Sequence, residues 1–190
     1  MLAVWIVAGV LVALLLYVVL TFNRLVRNRN RVDNAWSGID VQLRRRYDLI
    51  PNLIETVKGY AEHERKLFEE VTKARSQAVE AGSVEQQAAA ENQLTRTLRQ
   101  LFAVSENYPQ LRANENFLAL QEELTSTESK IAFARQFYND QVLRLNTLIQ
   151  QFPSLTVASM FRFKPREFFE IEEDSQREPV QVQNPRPRSE

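Results

Sequence analysis

The chain opens on an uncharged run of 21 residues, Leu2-Ala-Val-Trp-Ile-Val-Ala-Gly-Val-Leu-Val-Ala-Leu-Leu-Leu-Tyr-Val-Val-Leu-Thr-Phe22. At 1.5 Å per residue, a helix of this length measures about 30 Å, the thickness of the hydrocarbon core of a bilayer. A cleaved signal peptide has its basic residues before a shorter apolar run and a small-residue cleavage site after it. Here the order is reversed, which predicts an uncleaved transmembrane anchor over residues 1–23.

Four arginines follow this run before the first acidic residue of the chain: Arg24, Arg27, Arg29 and Arg31. By the positive-inside rule, the asymmetry predicts a single-pass protein with its N-terminus outside and its C-terminal domain in the cytoplasm. The arginines also lie within a Debye length of the headgroups, so they are candidate contacts for anionic lipid. The alternative is that they only set the topology.

The composition removes most classes of enzyme. Cysteine is absent and His63 is the one histidine, which excludes disulfide scaffolds, cysteine nucleophiles and metal sites that need two imidazoles. Basic and acidic residues are equal at 24 each, unlike the strong basicity of most nucleic-acid binders. No glycine-rich phosphate-binding motif occurs, and we expect His63 on a solvated, charged surface. We therefore predict no enzyme activity, catalytic residue, cofactor, metal, small-molecule substrate or nucleic-acid partner.

Beyond the arginines, apolar residues recur at steps of three and four, the period of an amphipathic helix that buries one stripe. The first stripe, from Val32 to Ala78, predicts one helix of over forty residues. Because Pro51 lacks an amide hydrogen, a kink or short break is expected at 48–51. Three aromatic residues on or beside this stripe are expected in the core: Trp36, Tyr47 and Tyr60.

Turn signals divide the remaining sequence. Ala81-Gly82 stops the first helix, and Ser83 with Gln86 forms a capping box that opens the second, which ends before Pro109. The third stripe, with Asn114 as its N-cap, continues to Pro153 and contains Phe117, Leu120, Leu124, Glu128, Ile131, Arg135, Tyr138, Val142, Leu145, Ile149 and Phe152. A fourth, shorter element is expected at 155–163, and the proline at 165 suits a first helical turn.

These stripes predict an all-α protein, in which an elongated antiparallel bundle of three long helices and a shorter fourth element follows the anchor. We assign residues 24–170 to the bundle and residues 171–190 to a disordered acidic and proline-rich tail. Glu128 and Arg135 lie seven residues apart on the third stripe, so they are candidates for a buried polar pair that fixes helix register. An acid across the bundle such as Glu55 is the alternative partner of Arg135, and a ligand site is the alternative role. The cluster Arg44, Arg45 and Arg46 is expected to form a solvated or intrahelically paired face, with contact to a partner or to anionic lipid as the alternative and contact to nucleic acid as the least favoured one.

The stretch Arg29-Asn-Arg-Val-Asp-Asn-Ala-Trp-Ser-Gly-Ile-Asp-Val-Gln-Leu-Arg-Arg-Arg-Tyr-Asp-Leu-Ile-Pro-Asn-Leu53 closely resembles the LemA family of bacterial membrane-anchored proteins. The resemblance continues through short blocks at 57–60, 90–94, 101–104, 113–117, 120–124, 131–135, 138–140 and 163–165. Gly38 departs from the glutamine expected there. The resemblance implies a single span in the bacterial inner membrane and a helical bundle, with no catalytic residue to carry over. Family members are often encoded beside membrane proteases or other envelope genes, which implies an accessory role.

The anchor and the bundle together predict a non-catalytic interaction or scaffold protein at the cytoplasmic face of the membrane. Membrane lipid, other copies of the chain and other membrane proteins are the expected partners. The alternatives are a lipid-responsive component of an envelope-stress pathway and an accessory factor of a membrane protease. An enzyme of unrecognised type is the least favoured hypothesis, because paired acids without a pocket are ordinary helix surface.

Overall fold

The computed structural model describes residues 1–170 and confirms the all-α fold for them. Helix α1 is continuous over Leu2–Lys58, 57 residues, so the apolar run and the first amphipathic stripe are parts of one rod. The run contains the one stretch among the described residues that is long and apolar enough to cross a membrane, and none of it is buried. The first buried residue is Thr21, one residue before the apolar run ends. The tail assigned to 171–190 lies outside the described residues.

The break expected at 48–51 does not occur, because Pro51 lies inside α1 with its ring exposed. A proline inside a helix costs about 3 kcal/mol through its lost hydrogen bond and its ring clash. Ile50 and Leu53, on either side of it, are fully buried, and their burial offsets that cost. Tertiary packing therefore keeps the helix intact across the proline.

The chain reverses instead at residues 59–64, so the single helix expected from Val32 to Ala78 is two helices. Helix α2 covers Arg65–Glu80 and packs back against α1. Gly59 is a poor helix former, and the reversal lets the apolar face of α2 enter the core. Tyr60, in this loop, is 39% exposed and not a core residue.

The predicted caps are confirmed. Helix α3, Val84–Ser105, begins after Ser83, whose hydroxyl accepts a hydrogen bond from the amide of Gln86 at 3.1 Å. A short helix α4 covers Pro109–Arg112. Helix α5, Glu115–Gln150, begins after Asn114, whose Oδ1 accepts from the amide of Phe117 at 3.0 Å.

Helices α1 and α5 form the antiparallel spine of the molecule. Trp36 of α1 packs against Tyr138 of α5 with ring centroids 5.4 Å apart, while Arg45, further along α1, pairs with Glu123, earlier on α5. The α2–α3 hairpin packs on this spine, so the bundle has four substantial helices and not three. The fully buried side chains include Ile39, Ile50, Leu53, Leu94, Leu101, Phe117, Ile131 and Leu145.

The predicted fourth element is helix α6, Ser154–Met160, but no helix begins at Pro165. Residues 163–170 instead run as an extended strap along α5. The Asn146 side chain donates to the carbonyl of Arg166 and accepts from its amide, both at 2.9 Å, and Asn139 does the same for Phe169 at 3.1 and 2.9 Å. These asparagines satisfy the strap's backbone groups, which removes the need for a helix.

Candidate functional site: a cationic groove and a buried ionic cluster

Four arginines line a groove between α1 and α5 at the end of the bundle nearest the apolar run. Arg24, Arg27 and Arg31 come from α1, where their spacing puts them on one face, and Arg144 comes from α5. The groove encloses about 740 Å³, and Leu20, the last leucine of the apolar run, lies at its edge. The sequence placed the first three arginines near the membrane, and the fold adds the fourth.

No acidic side chain lines this groove among residues 1–170, and none of its four arginines forms a salt bridge there. All four are exposed to solvent. Unneutralised guanidinium groups in a cleft raise the local concentration of anions, and their planar donors match phosphate oxygens in particular. Chemically, the groove is suited to an anion that carries phosphate.

Arg29 lies outside this groove, on the opposite flank of the buried stripe of α1. Its guanidinium carbon is 5.9 Å from the ring centroid of Phe163, in the position of a cation–π contact. Of the four arginines that follow the apolar run, three therefore line the groove and one packs against the strap.

The three neighbouring arginines Arg44, Arg45 and Arg46 also differ in their exposure and in their partners. Arg44 is exposed and pairs within its own helix with Asp40 at 2.9 Å, while Arg45 crosses to Glu123 of α5. The Arg46 side chain is only 3% exposed, which contradicts its assignment as a partner contact.

Arg46 belongs to a buried ionic cluster that joins α1, α3 and α5. Its Nη1 donates to Glu91 Oε2 at 3.0 Å, and its Nη2 donates to Thr95 Oγ1 at 2.9 Å and lies 3.2 Å from Glu128 Oε2. The Tyr47 hydroxyl donates to the other oxygen of Glu91.

Glu91 is completely buried within this cluster. The side-chain Nε2 of Gln87 donates to Glu91 Oε1 at 3.2 Å and to the Tyr47 hydroxyl at 2.8 Å. Burial raises the pKa of the Glu91 carboxyl, while the charge of Arg46 and the hydrogen bonds from Tyr47 and Gln87 act in the opposite direction. Burial, and next the charge of Glu91, also raise the pKa of Tyr47. A carboxylate held by three donors is positioned to fix helix register rather than to meet a ligand.

The sequence identified the wrong buried acid. The Glu128 side chain is 48% exposed, so it is not the buried half of the pair expected with Arg135, which is itself half-buried. Glu91 lies three residues before Leu94 on the second stripe, and that position is the signal which could have revealed it. Phe152, the last residue of the third stripe, is 78% exposed and also leaves the core.

Within the described part of the chain, no three His, Cys, Asp or Glu side chains are grouped so that they could hold a metal ion. His63 is exposed in the 59–64 loop, as expected for a solvated residue.

Comparison with known proteins gives two findings. Residues 35–183 match the model of the LemA family. The chain is also 24% identical, over an alignment of 185 residues, to magnetosome protein MamQ of Magnetospirillum gryphiswaldense and to magnetosome proteins MamQ 1 and MamQ 2 of Paramagnetospirillum magneticum. Each alignment covers 84% of this chain and 68% of the relative.

Proposed function

We propose that this chain, which belongs to the LemA family, is a non-catalytic scaffold tethered to the cytoplasmic face of the bacterial inner membrane and associates with further copies of itself. The exposed apolar run supports the tether, and the arginines after it support the cytoplasmic orientation. Since α1 passes without interruption from the apolar run into the bundle, the tether and the first helix of the bundle form one continuous rod. Other membrane proteins, including a membrane protease, remain candidate partners of the same rod.

The observation that carries self-association is a pair of exposed aromatic side chains on α5. Phe133 is 74% exposed and Phe137 is 58% exposed, one helical turn apart and therefore adjacent on one face. Exposed aromatic pairs of this kind are typical of protein contact surfaces. The chain has no net charge to oppose such contacts, and anchoring raises the effective concentration of neighbouring copies.

Cysteine cross-linking in native membranes tests this proposal, because the chain has no cysteine of its own. We expect full-length Phe137→Cys to form a disulfide-linked dimer. Val79→Cys is the matched control, since Val79 is an equally exposed apolar residue, 56%, on α2. Equal cross-linking at both positions would contradict the proposed face.

Light scattering of the detergent-solubilised protein provides a second readout. We expect the full-length chain to be oligomeric and the fragment from residue 24 onward to be largely monomeric, because the tether supplies the effective concentration. The double variant Phe133→Ser, Phe137→Ser should be monomeric in both forms. A full-length protein that is strictly monomeric would contradict the scaffold proposal.

A second candidate function, response to anionic lipid, is favoured by the cationic groove. Its arginines begin four residues after Leu20, about 6 Å along the helix axis, which is the depth of the headgroup layer. A phospholipid headgroup at that depth would meet Arg24 and Arg27 first, and Arg144 and Arg31 further from the bilayer.

A further inference from the structure

The corner between α5 and α6 exposes an unusual amount of apolar surface. Helix α6 buries Val157 and Ala158 against the bundle, so its inner face is already used. Its outer face and the preceding turn carry four exposed apolar side chains: Phe152 at 78%, Leu155 at 43%, Met160 at 68% and Phe161 at 45%. We call these four residues the apolar corner.

The apolar corner lies level with the end of the membrane-spanning run. The ring of Phe161 packs on Phe22 of α1, with centroids 4.7 Å apart, and Phe163 packs on the same ring at 5.9 Å. Phe22 is two residues beyond Leu20, which is about 3 Å along the helix axis. At the other end of the corner, Gln151, which precedes Phe152, lines the same groove as Leu20. Both ends of the corner are therefore near the boundary where the hydrocarbon core meets the headgroups.

The sequence around the corner has the order of an interfacial membrane segment. No charged residue occurs in 145–161, and the basic residues Arg162, Lys164 and Arg166 follow directly. The same order, an apolar run and then arginines, marks the anchor itself. Elements that lie in the interface combine an exposed apolar face with basic residues that meet anionic headgroups.

On the basis of the tether proposed above, we infer that the apolar corner inserts into the cytoplasmic leaflet of the same bilayer, as a second and interfacial membrane contact. Its continuity with the exposed apolar run selects the bilayer as the occupant, since a lipid surface at Leu20 extends laterally to Phe161. The ring contact between Phe161 and Phe22 joins the corner to the end of the apolar run, and the strap that follows is held to α1 further along by the pair of Arg166 Nη2 with Asp33 at 2.8 Å. Two attachments on one rod hold the bundle at one orientation to the membrane.

Spin labels on single cysteines of the full-length chain test this inference. The variants Met160→Cys and Phe152→Cys are reconstituted at one copy per nanodisc of phosphatidylglycerol and phosphatidylcholine. Val79→Cys is the control, because Ala78 contacts Tyr47, 27 residues beyond Leu20 and so about 40 Å from the span. Accessibility to oxygen, which concentrates in lipid, is compared with accessibility to a water-soluble nickel chelate.

We expect both corner labels to be severalfold less accessible to the nickel chelate than the Val79 label, and more accessible to oxygen. Corner labels as open to the chelate as the control would overturn the inference. Protection that appears only in discs with several copies would also overturn it, because a second copy and not lipid would then cover the corner. The single-copy arm also separates this result from self-association through Phe133 and Phe137.

Discussion

Two groups of arginines on the same helix have opposite environments. Arg46 is 3% exposed and contacts three side chains from two other helices, whereas Arg24, Arg27 and Arg31 are exposed and have no ionic partner within residues 1–170. Arg31 and Arg46 are 15 residues apart, about 22 Å along α1. The same side chain therefore serves the fold at one level of the rod and stays available for a ligand at another, and its neighbours decide which.

The buried arginine specifies how the helices align more than it adds to stability. Removing two charges from water costs several kcal/mol per ion, and the attraction between them repays about that much in favourable geometry. Arg46 finds Glu91 on α3 and Glu128 on α5 at one register of the three helices only. A helix shifted by one turn would leave Glu91 buried without its cation.

The largest effect expected from the comparison is the loss of this buried cation. Arg46→Ala leaves the buried Glu91 unpaired, which should lower the free energy of unfolding by about 3 to 5 kcal/mol. Circular dichroism during urea denaturation of the detergent-solubilised chain measures it. The double variant Arg46→Met, Glu91→Leu is the control, because it replaces both charges by apolar volume and should recover most of the loss. A loss below about 1 kcal/mol for Arg46→Ala would mean that the cluster does not fix the alignment of the three helices.

A smaller effect expected from the buried cluster is a dependence of the free energy of unfolding on pH. Burial raises the pKa of Glu91, so above the ordinary value of about 4.3 the folded chain keeps a proton that the unfolded chain releases. The free energy of unfolding should therefore fall as the pH rises through this window. Glu91→Gln, which stays neutral, should lack this loss when urea midpoints are compared from about pH 4 to about pH 8. Parallel profiles for the two proteins would show that Glu91 does not titrate differently on folding.

The sequence predicted the features that depend on local chemistry. Ser83 and Asn114 cap helices by hydrogen bonds to residues three positions away, so their roles can be read without the fold. The reversal at 59–64 was missed because its apolar pattern does not stop there. Ala61 lies in the loop and is fully buried, so the helical period continues through a segment that is not helical.

The buried cluster and the cationic groove could not be predicted in full from the sequence, because both depend on how helices that are distant in sequence align. Glu91 sits on a helical stripe, but its role becomes visible only when α3 is placed against Arg46. Arg144 joins the groove because α5 runs antiparallel to α1, which puts it near Arg27 and Arg31. Local pattern gives the face of each helix, and the register between helices comes from packing.

The smallest effect on folding is expected at the groove, where the triple variant Arg24→Gln, Arg27→Gln, Arg31→Gln should leave the melting temperature in detergent nearly unchanged. Each exposed substitution should change the free energy of unfolding by less than about 0.5 kcal/mol, since it breaks no described ion pair and relieves repulsion between like charges.

In nanodiscs the same triple variant should differ from the wild type, because a lipid that binds only the folded state raises the stability of that state. Phosphatidylglycerol should raise the melting temperature of the wild type over that in phosphatidylcholine, and added salt should weaken this gain. The triple variant should lose the gain, whereas Arg44→Gln, which removes an exposed arginine paired with Asp40, should keep it. An equal gain in all three proteins would show that the exposed arginines set the topology and do not hold lipid, and the contrast with Arg46 would then be one of burial alone.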